Sequence, residues 1–217
     1  MSGVASSIAV KNTLDVFMVK EFVETLEVEI PPVESFWKLG DATALRQRAD
    51  GSFFRANYER GILLYALVAK QRPTCVLEFG TGRGYGCLCM AWAMCDYGIR
   101  GVIHTVDMVS SDQSVRCPIR WSTSAEPRVA SLSRAEVWRR TAPTGWLKHV
   151  RESMGYSGAV MRGFSGASVD LAFIDAGHGY LTVRHDFYSV LRVADESIGI
   201  LFDDYSDDEW GLGTRKM

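Results

Sequence analysis

The chain has 217 residues, 47% of them hydrophobic, and a formal net charge of −2. That length suits one domain with a small appendage, and the apolar content excludes a disordered chain. The near-neutral balance excludes an overall basic field, so neither nucleic acid nor an anionic membrane is an expected partner.

In chain order, "MSGVASSIAV" lacks the basic start and long apolar stretch of a secretion signal, and no apolar run reaches the ~18 residues of a membrane span. A cytoplasmic location is expected. Residues 13–26 place Leu14, Phe17, Met18 and Leu26 roughly on one helical face, and Pro31 and Pro32 stop any helix there. A second helical piece is expected over about 41–49, broken by Gly51, and a longer one over 56–70. Strands and helices then alternate. "CVLEF" (75–79) reads as a strand, 85–97 as a helix and "GVIHTVD" (101–107) as a second strand. About 50 residues follow, with Trp121, Trp138 and Trp146 and a capping box from Ser133 to Glu136. The expected elements after it are a helix at 146–154 and strands at 158–163, 169–175 and 198–204, with a helix at 181–191 before the last. No internal repeat is visible. The five cysteines, Cys75, Cys87, Cys89, Cys95 and Cys117, read as free thiols in a reducing compartment, since no second Cys/His pair stands at zinc spacing.

This order predicts an α/β, doubly wound, mostly parallel sheet with helices on both faces. Ligands of such sheets bind beyond the carboxyl ends of the strands. Glu78, Asp107, Asp175, Asp203 and Asp204 all fall at or near those ends.

The turn after the first of these strands is "VLEFGTGRGYG" (76–86). A phosphate-cradling loop needs G-x-x-x-x-G-K-[ST], and no Lys-Ser or Lys-Thr follows. The dinucleotide fingerprint G-x-G-x-x-G fails too: counting from Gly80 its last glycine falls on Tyr85, and from Gly82 on Cys87. What remains is E-x-G-x-G-x-G, formed by Glu78, Gly80, Gly82 and Gly84. Glycines allow close backbone approach, the next helix offers free N–H groups to a carboxylate, and an acid beside the loop suits a cation. Asp107 is placed to accept from a ribose diol. A ligand with a ribose, a zwitterion and a positive centre is S-adenosylmethionine. At "EFGTGRG", which includes Thr81, and at Asp107, the sequence resembles the class I S-adenosylmethionine-dependent methyltransferases. The resemblance implies a Rossmann-like methyltransferase sheet and cofactor contacts from Glu78, Gly80, Thr81, Gly82, Gly84 and Asp107. It places Gly163 and Ser165, after the expected third strand, in the adenine pocket, and Asp175 beside the cofactor. It also divides the chain into an N-terminal helical extension (1–55) and a cofactor-binding domain (56–217).

Neighbouring strands lie ~4.8 Å apart, so Asp175, Asp203 and Asp204 can converge. Three carboxylates without thiolates suit a hard cation such as Mg²⁺, which would lower the pKa of a substrate hydroxyl. His178, in the loop above, is a reasonable general base. The run "GFS…VDLAFIDAGHGYLTVRHDF…IGILFDDY" resembles the macrolide-sugar O-methyltransferases, and its layout is similar to that of catechol-type enzymes. The resemblance implies Asp175, Asp203 and Asp204 as metal ligands and His178 as catalytic base. Read from the residues alone, Asp203 and Asp204 also suit a solvated turn, and one of the pair can face away. His178 also suits a backbone-bonded loop. His185 is expected to be structural and Asp170 solvated. The tryptophans of 108–146 fit a substrate lid or simple packing equally.

The family's sheet has seven strands, but the thirteen residues after Asp204 cannot supply two more and a helix. A sheet lacking strands 6 and 7 is expected, in a fragment or a shortened variant, with a homo-oligomer or extra structure covering the strand-5 edge. The expected activity is metal-dependent O-methylation of a small hydroxylated molecule, a sugar or a phenol. The rivals are metal-independent N- or C-methylation and a non-catalytic cofactor-binding module. Glycine spacing disfavours a nicotinamide enzyme.

Overall fold

The run Cys75–Phe79 is buried at all five positions, as a strand covered on both faces must be. The fold is built around it. A computed structural model describes residues 17–122, 124–165, 168–205 and 211–216. In chain order these form α1 (Val19–Thr25), α2 (Val33–Thr43), a hairpin of β1 (Arg46–Gln47) and β2 (Phe53–Phe54), α3 (Tyr58–Gln71), β3 (Cys75–Phe79), α4 (Tyr85–Asp96) and β4 (Val102–Asp107). A second hairpin, β5 (Val115–Ile119) and β6 (Arg128–Leu132), precedes α5 (Arg134–Thr141) and α6 (Thr144–Leu147). Then come β7 (Val150–Met154), α7 (Ser157–Arg162), β8 (Val169–Ile174), α8 (Tyr180–Leu191), β9 (Ala194–Phe202) and α9 (Leu212–Arg215).

Five strands make one parallel sheet in the order β7-β4-β3-β8-β9. Side chains alternate between its faces. Val76, Ile103, Leu171 and Phe173 meet α3 and α4 through Leu64, Tyr65 and Leu88. Leu77, Phe79, Ala172 and Ile174 meet Met161 of α7 and Val190 of α8. This is the expected doubly wound α/β sheet, with β7 and β9 at its edges. The registers pair Phe79 with Val106 and Ile174, Ile174 with Phe202, and Asp107 with Met154. All five carboxyl ends therefore share one rim.

Several expected elements differ. The helix expected at 41–49 is instead the end of α2 followed by the β1–β2 turn, where Gly51 takes φ +88° and Ser52 N–H donates to Asp50 Oδ1 (2.9 Å). α2 starts directly after Pro32, where a missing N–H removes no helical bond. Its Phe36 is fully buried against Trp92 (ring centroids 4.8 Å). The helix expected from residue 13 is described from Val19, and residues 13–16 lie outside the described residues. The expected helix 146–154 and strand 158–163 exchange roles: β7 occupies 150–154 and α7 occupies 157–162. As an edge strand, β7 exposes Arg151 and Glu152, so its apolar signal is weak.

The expected ambiguity of the tryptophans resolves to packing. Trp138 is buried and donates from Nε1 to Arg83 O (2.9 Å), and Trp146 stacks on Trp92 (5.0 Å). Trp121 is half-buried, with Arg140 over its ring (5.0 Å). Asp170 is not simply solvated. Its Oδ2 accepts from Thr74 Oγ1 (2.9 Å) and from the N–H groups of Thr74 (2.5 Å) and Cys75 (3.0 Å), pinning the start of β3. All five cysteines are free, and only Cys95 is exposed. Among the described residues, no helix is long and apolar enough to cross a membrane.

Candidate active site

The glycine turn joins β3 to α4. Gly80, Gly82 and Gly84 all adopt positive φ (+94°, +53°, +95°), which disfavours any side chain. A Cβ on Gly80 would stand 2.0 Å from Asp175 O, and one on Gly84 2.3 Å from Trp138 Nε1. Around Gly82 a Cβ would meet nothing within 4 Å. The loop is thus packed from below and open above.

Asp107, at the end of β4, accepts from Gly82 N–H (Oδ2, 2.7 Å) and Val109 N–H (Oδ1, 2.8 Å). Each oxygen keeps a second lone pair. Arg134, only 6% exposed at its side chain, stands behind this pair. It donates to Gly82 O (2.8 Å), Val109 O (2.9 Å) and Glu152 Oε1 (2.6 Å). Its Nη1 also lies 3.8 Å from Asp107 Oδ2.

Glu78 lies one residue short of the rim, on the α3–α4 face, and is 1% exposed. Thr105 Oγ1 donates to its Oε2, and Thr81 Oγ1 lies 2.5 Å from Thr105 Oγ1. Burial pushes the Glu78 carboxyl up to about 7, against the pull of the Thr105 hydrogen bond, Arg60 and Arg134.

At the other side of the rim, Asp175, Asp203 and Asp204 each present an oxygen within 4.8 Å of the others. Asp175 N–H donates to Phe79 O (2.8 Å) and Asp203 N–H to Ile174 O (3.0 Å), so sheet-type bonds fix both acids. Asp204 takes a positive φ of +56°, which turns its side chain back toward His178; His178 Nδ1 lies 2.7 Å from Asp204 Oδ2. From α9, Gly213 N–H donates to His178 O (3.1 Å) and Thr214 Oγ1 to Asp203 O (3.1 Å). Arg60, in the first turn of α3, donates from Nη1 to Asp175 Oδ2 (2.8 Å) and to Asp203 Oδ2. Burial holds the Asp175 carboxyl well above the usual carboxylate range; Arg60 opposes this, and Asp203 and Asp204 add to it.

One cavity of about 1090 Å³ runs along this rim; of the three converging acids Asp175 lines it, and Asp203 and Asp204 are not among its lining residues. Glu78, Gly80, Thr81, Gly82, Asp107, Asp175 and His178 all line it. A family model described as a methyltransferase domain matches residues 77–205. The chain belongs to this methyltransferase family. The matched span runs from β3 to just past β9 and contains the whole rim.

The methyltransferase has the class I S-adenosylmethionine-dependent fold, shared with solved structures at low identity. It is 20% identical to cofactor-bound Rv0187 from MTB, with 91% of this chain and 81% of that one covered and a TM-score of 0.57. For the O-methyltransferase TomG from Streptomyces achromogenes, involved in tomaymycin synthesis and in complex with SAM, the identity is 18%, the coverage 91% and 81%, and the TM-score 0.58. For the O-methyltransferase from Bacillus cereus in complex with SAH, they are 17%, 92% and 85%, and 0.53. No curated protein matches the methyltransferase in sequence.

Three of the expected cofactor positions, Gly84, Gly163 and Ser165, fall away from the cavity lining. Ser165, exposed, and Gly163 are expected there only because they follow the expected third strand. That strand is β7, and the residues after it, Gly155, Tyr156 and Ser157, line the cavity instead. Arg60 and Arg134 were not singled out from sequence. Each is a basic residue at the start of a helix, and its partners lie on strands and loops distant along the chain.

Proposed function

We propose that this methyltransferase moves a methyl group from S-adenosylmethionine to a hydroxyl of a small molecule, a sugar or a phenol, with a divalent cation at Asp175, Asp203 and Asp204. The observation that carries the reading is the convergence of Asp175, Asp203 and Asp204, the first of which lines the same cavity as His178 and the open face of the Gly82 loop.

The residues fit the cofactor. Asp107 has lone pairs left for a ribose diol, and the space over Gly82 admits close backbone approach. They also fit a hard divalent cation. All donors are carboxylate oxygens, and three carboxylates against one Arg60 guanidinium leave an excess of two negative charges when ionised. Bound there, such a cation would acidify a substrate hydroxyl, and the sulfonium would supply the methyl group.

The chain's own groups do the rest. Asp107, fixed by two N–H groups and backed by Arg134, holds the ribose. Gly82, open above, lets the backbone approach the amino-acid end, while Gly80 and Gly84 let the turn pack against Asp175 and Trp138. His178 takes the hydroxyl proton, and Asp204, 2.7 Å from its Nδ1, orients the ring and stabilises its protonated form. The α9 contacts to His178 O and Asp203 O hold base and acid in register. Alignment of oxygen, methyl carbon and sulfur within the cavity supplies the proximity contribution.

One observation favours a second reading, metal-independent transfer: the Arg60 guanidinium already bridges Asp175 and Asp203. Calorimetric titration of S-adenosylmethionine with and without Mg²⁺, followed by methyl transfer to a panel of sugars and phenols with and without a chelator, separates the two. Loss of turnover on chelation supports the metal. Turnover untouched by chelation and by Asp203→Ala sinks it. Absence of cofactor binding sinks both.

A further inference from the structure

Four arginines line the cavity: Arg46, Arg60, Arg83 and Arg116. Arg60 is paired with Asp175 and Asp203. Among the described residues, the other three form no ion pair. They belong to one wall. Arg83 Nη1 donates to Pro118 O and its Nη2 to Leu45 O, so this side chain joins β5 to the start of β1. Arg46 follows Leu45 directly, and Arg116 shares a strand face with Pro118, two residues on. Arg46 and Arg116 are exposed and Arg83 is half-buried. Burial lowers the Arg83 pKa and the charge of Arg46 adds to that, as expected of neighbouring cations. Carbonyl oxygens satisfy the Arg83 hydrogen bonds but carry no net charge. Three positive charges therefore stand on this wall without a counter-ion, and a cleft lined by one sign of charge concentrates ligands of the other.

The position of this wall indicates which ligand it serves. Asp107 and the open face of the Gly82 loop are assigned to the cofactor. Asp175 and His178 mark the methyl-transfer end. Arg46 acts on that end: burial pushes the Asp204 carboxyl up, and Arg46 is among the charges that oppose it. The cavity, about 1090 Å³, is larger than the ~300–1,000 Å³ of a typical pocket and leaves room for an acceptor beside the cofactor. Guanidinium groups match a carboxylate or a phosphate in both charge and planar geometry.

We propose that the methyl acceptor is an anion, a hydroxylated molecule whose carboxylate or phosphate is held by Arg46 and Arg116 and backed by the charge of Arg83, while its hydroxyl reaches His178. This rests on the methyl-transfer reading above and narrows its sugar or phenol to an acid.

The test titrates the protein, loaded with S-adenosylhomocysteine in Mg²⁺ buffer, by calorimetry. The ligands are 3,4-dihydroxybenzoate against catechol and glucose 6-phosphate against glucose, each pair differing only in the anion. The wild type should bind at least one acid roughly tenfold or more tightly than its neutral counterpart, the range for hydrogen bonds between charged groups. The pair that shows the preference separates carboxylate from phosphate. The preference should shrink as salt screens the two exposed arginines. The double variant Arg46→Gln, Arg116→Gln should bring acid and neutral ligand within about threefold, through weaker binding of the acid. If the wild type binds S-adenosylhomocysteine but neither acid better than its neutral counterpart, the assignment falls and the cofactor reading stands. An acid preference that survives in the double variant also overturns it. So does a tenfold loss of S-adenosylhomocysteine affinity in that variant with the preference intact, which would give the arginines to the cofactor's own carboxylate. Failure of the wild type to bind S-adenosylhomocysteine removes the methyl-transfer reading, and the assignment with it.

Discussion

Arg60 Nη1 lies 2.8 Å from Asp175 Oδ2 and also donates to Asp203, so one guanidinium ties α3 to the ends of β8 and β9. The three side chains are 15–20% exposed. At that depth, removing one partner leaves charge uncompensated. Arg60 is also a cation where a cation is proposed to bind, and its Nε is buried without a partner.

The first prediction follows from that geometry. Arg60→Met should cost about 3 kcal/mol of stability in metal-free buffer, the size typical of a broken buried pair. Mg²⁺ should recover much of the loss, because it neutralises the same carboxylates, and should raise the melting temperature of the variant more than that of the wild type. Calorimetric melts with and without Mg²⁺ check this. Equal shifts in the two proteins would separate Arg60 from the metal site.

Arg134 makes a similar point on the cofactor side. It donates to Gly82 O and Val109 O and pairs with Glu152, and so braces both segments that hold Asp107. Arg134→Met should lower stability by roughly 1–3 kcal/mol, since it removes three charge-assisted hydrogen bonds made by a buried guanidinium to part-buried acceptors. It should also weaken S-adenosylhomocysteine binding at least tenfold. Arg134→Lys should restore little of either, because an ammonium lacks the planar fork that reaches several acceptors at once. Urea melts and calorimetric titration read the two effects separately.

His178 touches the reacting end alone in the proposed mechanism. His178→Ala should lower kcat by ~10²–10⁴, the usual contribution of a general base, and leave cofactor affinity within about twofold, because no uniform binding is lost. Asp204→Asn should give a smaller loss, since the ring remains but its orienting carboxylate does not. A single-turnover methyl-transfer assay with a parallel binding titration distinguishes a fall in kcat from a fall in affinity. An unchanged kcat in His178→Ala would remove the base from the mechanism.

Much of this site was legible because its parts are local. Glu78 to Gly84 form one continuous turn, and Asp107 and Asp175 each close a strand with a strong apolar run behind it. β3 and β8 are covered on both faces, and such strands announce themselves. The edge strand β7 did not, because Arg151 and Glu152 face solvent and the segment also suits a helix. The β5–β6 hairpin was hidden although Val115, Cys117 and Ile119 alternate, because Pro118 within so short a run argues against a strand. Arg60 and Asp175 are 115 residues apart, and nothing local to either marks the other. The Ser157–Asp186 contact depends on two helices packing, which only the placement of β7 fixes.

Glu78 gives the clearest pH prediction. Its carboxyl is fully enclosed, and burial raises it to about 7 from an ordinary value of 4.5. The folded state therefore holds the proton more tightly than the unfolded chain does. This contribution to stability is complete below about pH 4.5, falls as pH rises toward 7, and is gone above that. A shift of this size corresponds to about 3 kcal/mol. Glu78→Gln keeps an acceptor for Thr105 Oγ1 and carries no charge to bury. It should be more stable than the wild type at pH 8, by about 1–3 kcal/mol once its new amide finds imperfect partners, and should gain little or nothing at pH 4.5. Urea unfolding at both pH values measures the difference. If the wild type lost no stability relative to Glu78→Gln between pH 4.5 and 8, the buried carboxyl would have to be ionised throughout, with Arg60 and Arg134 outweighing its burial.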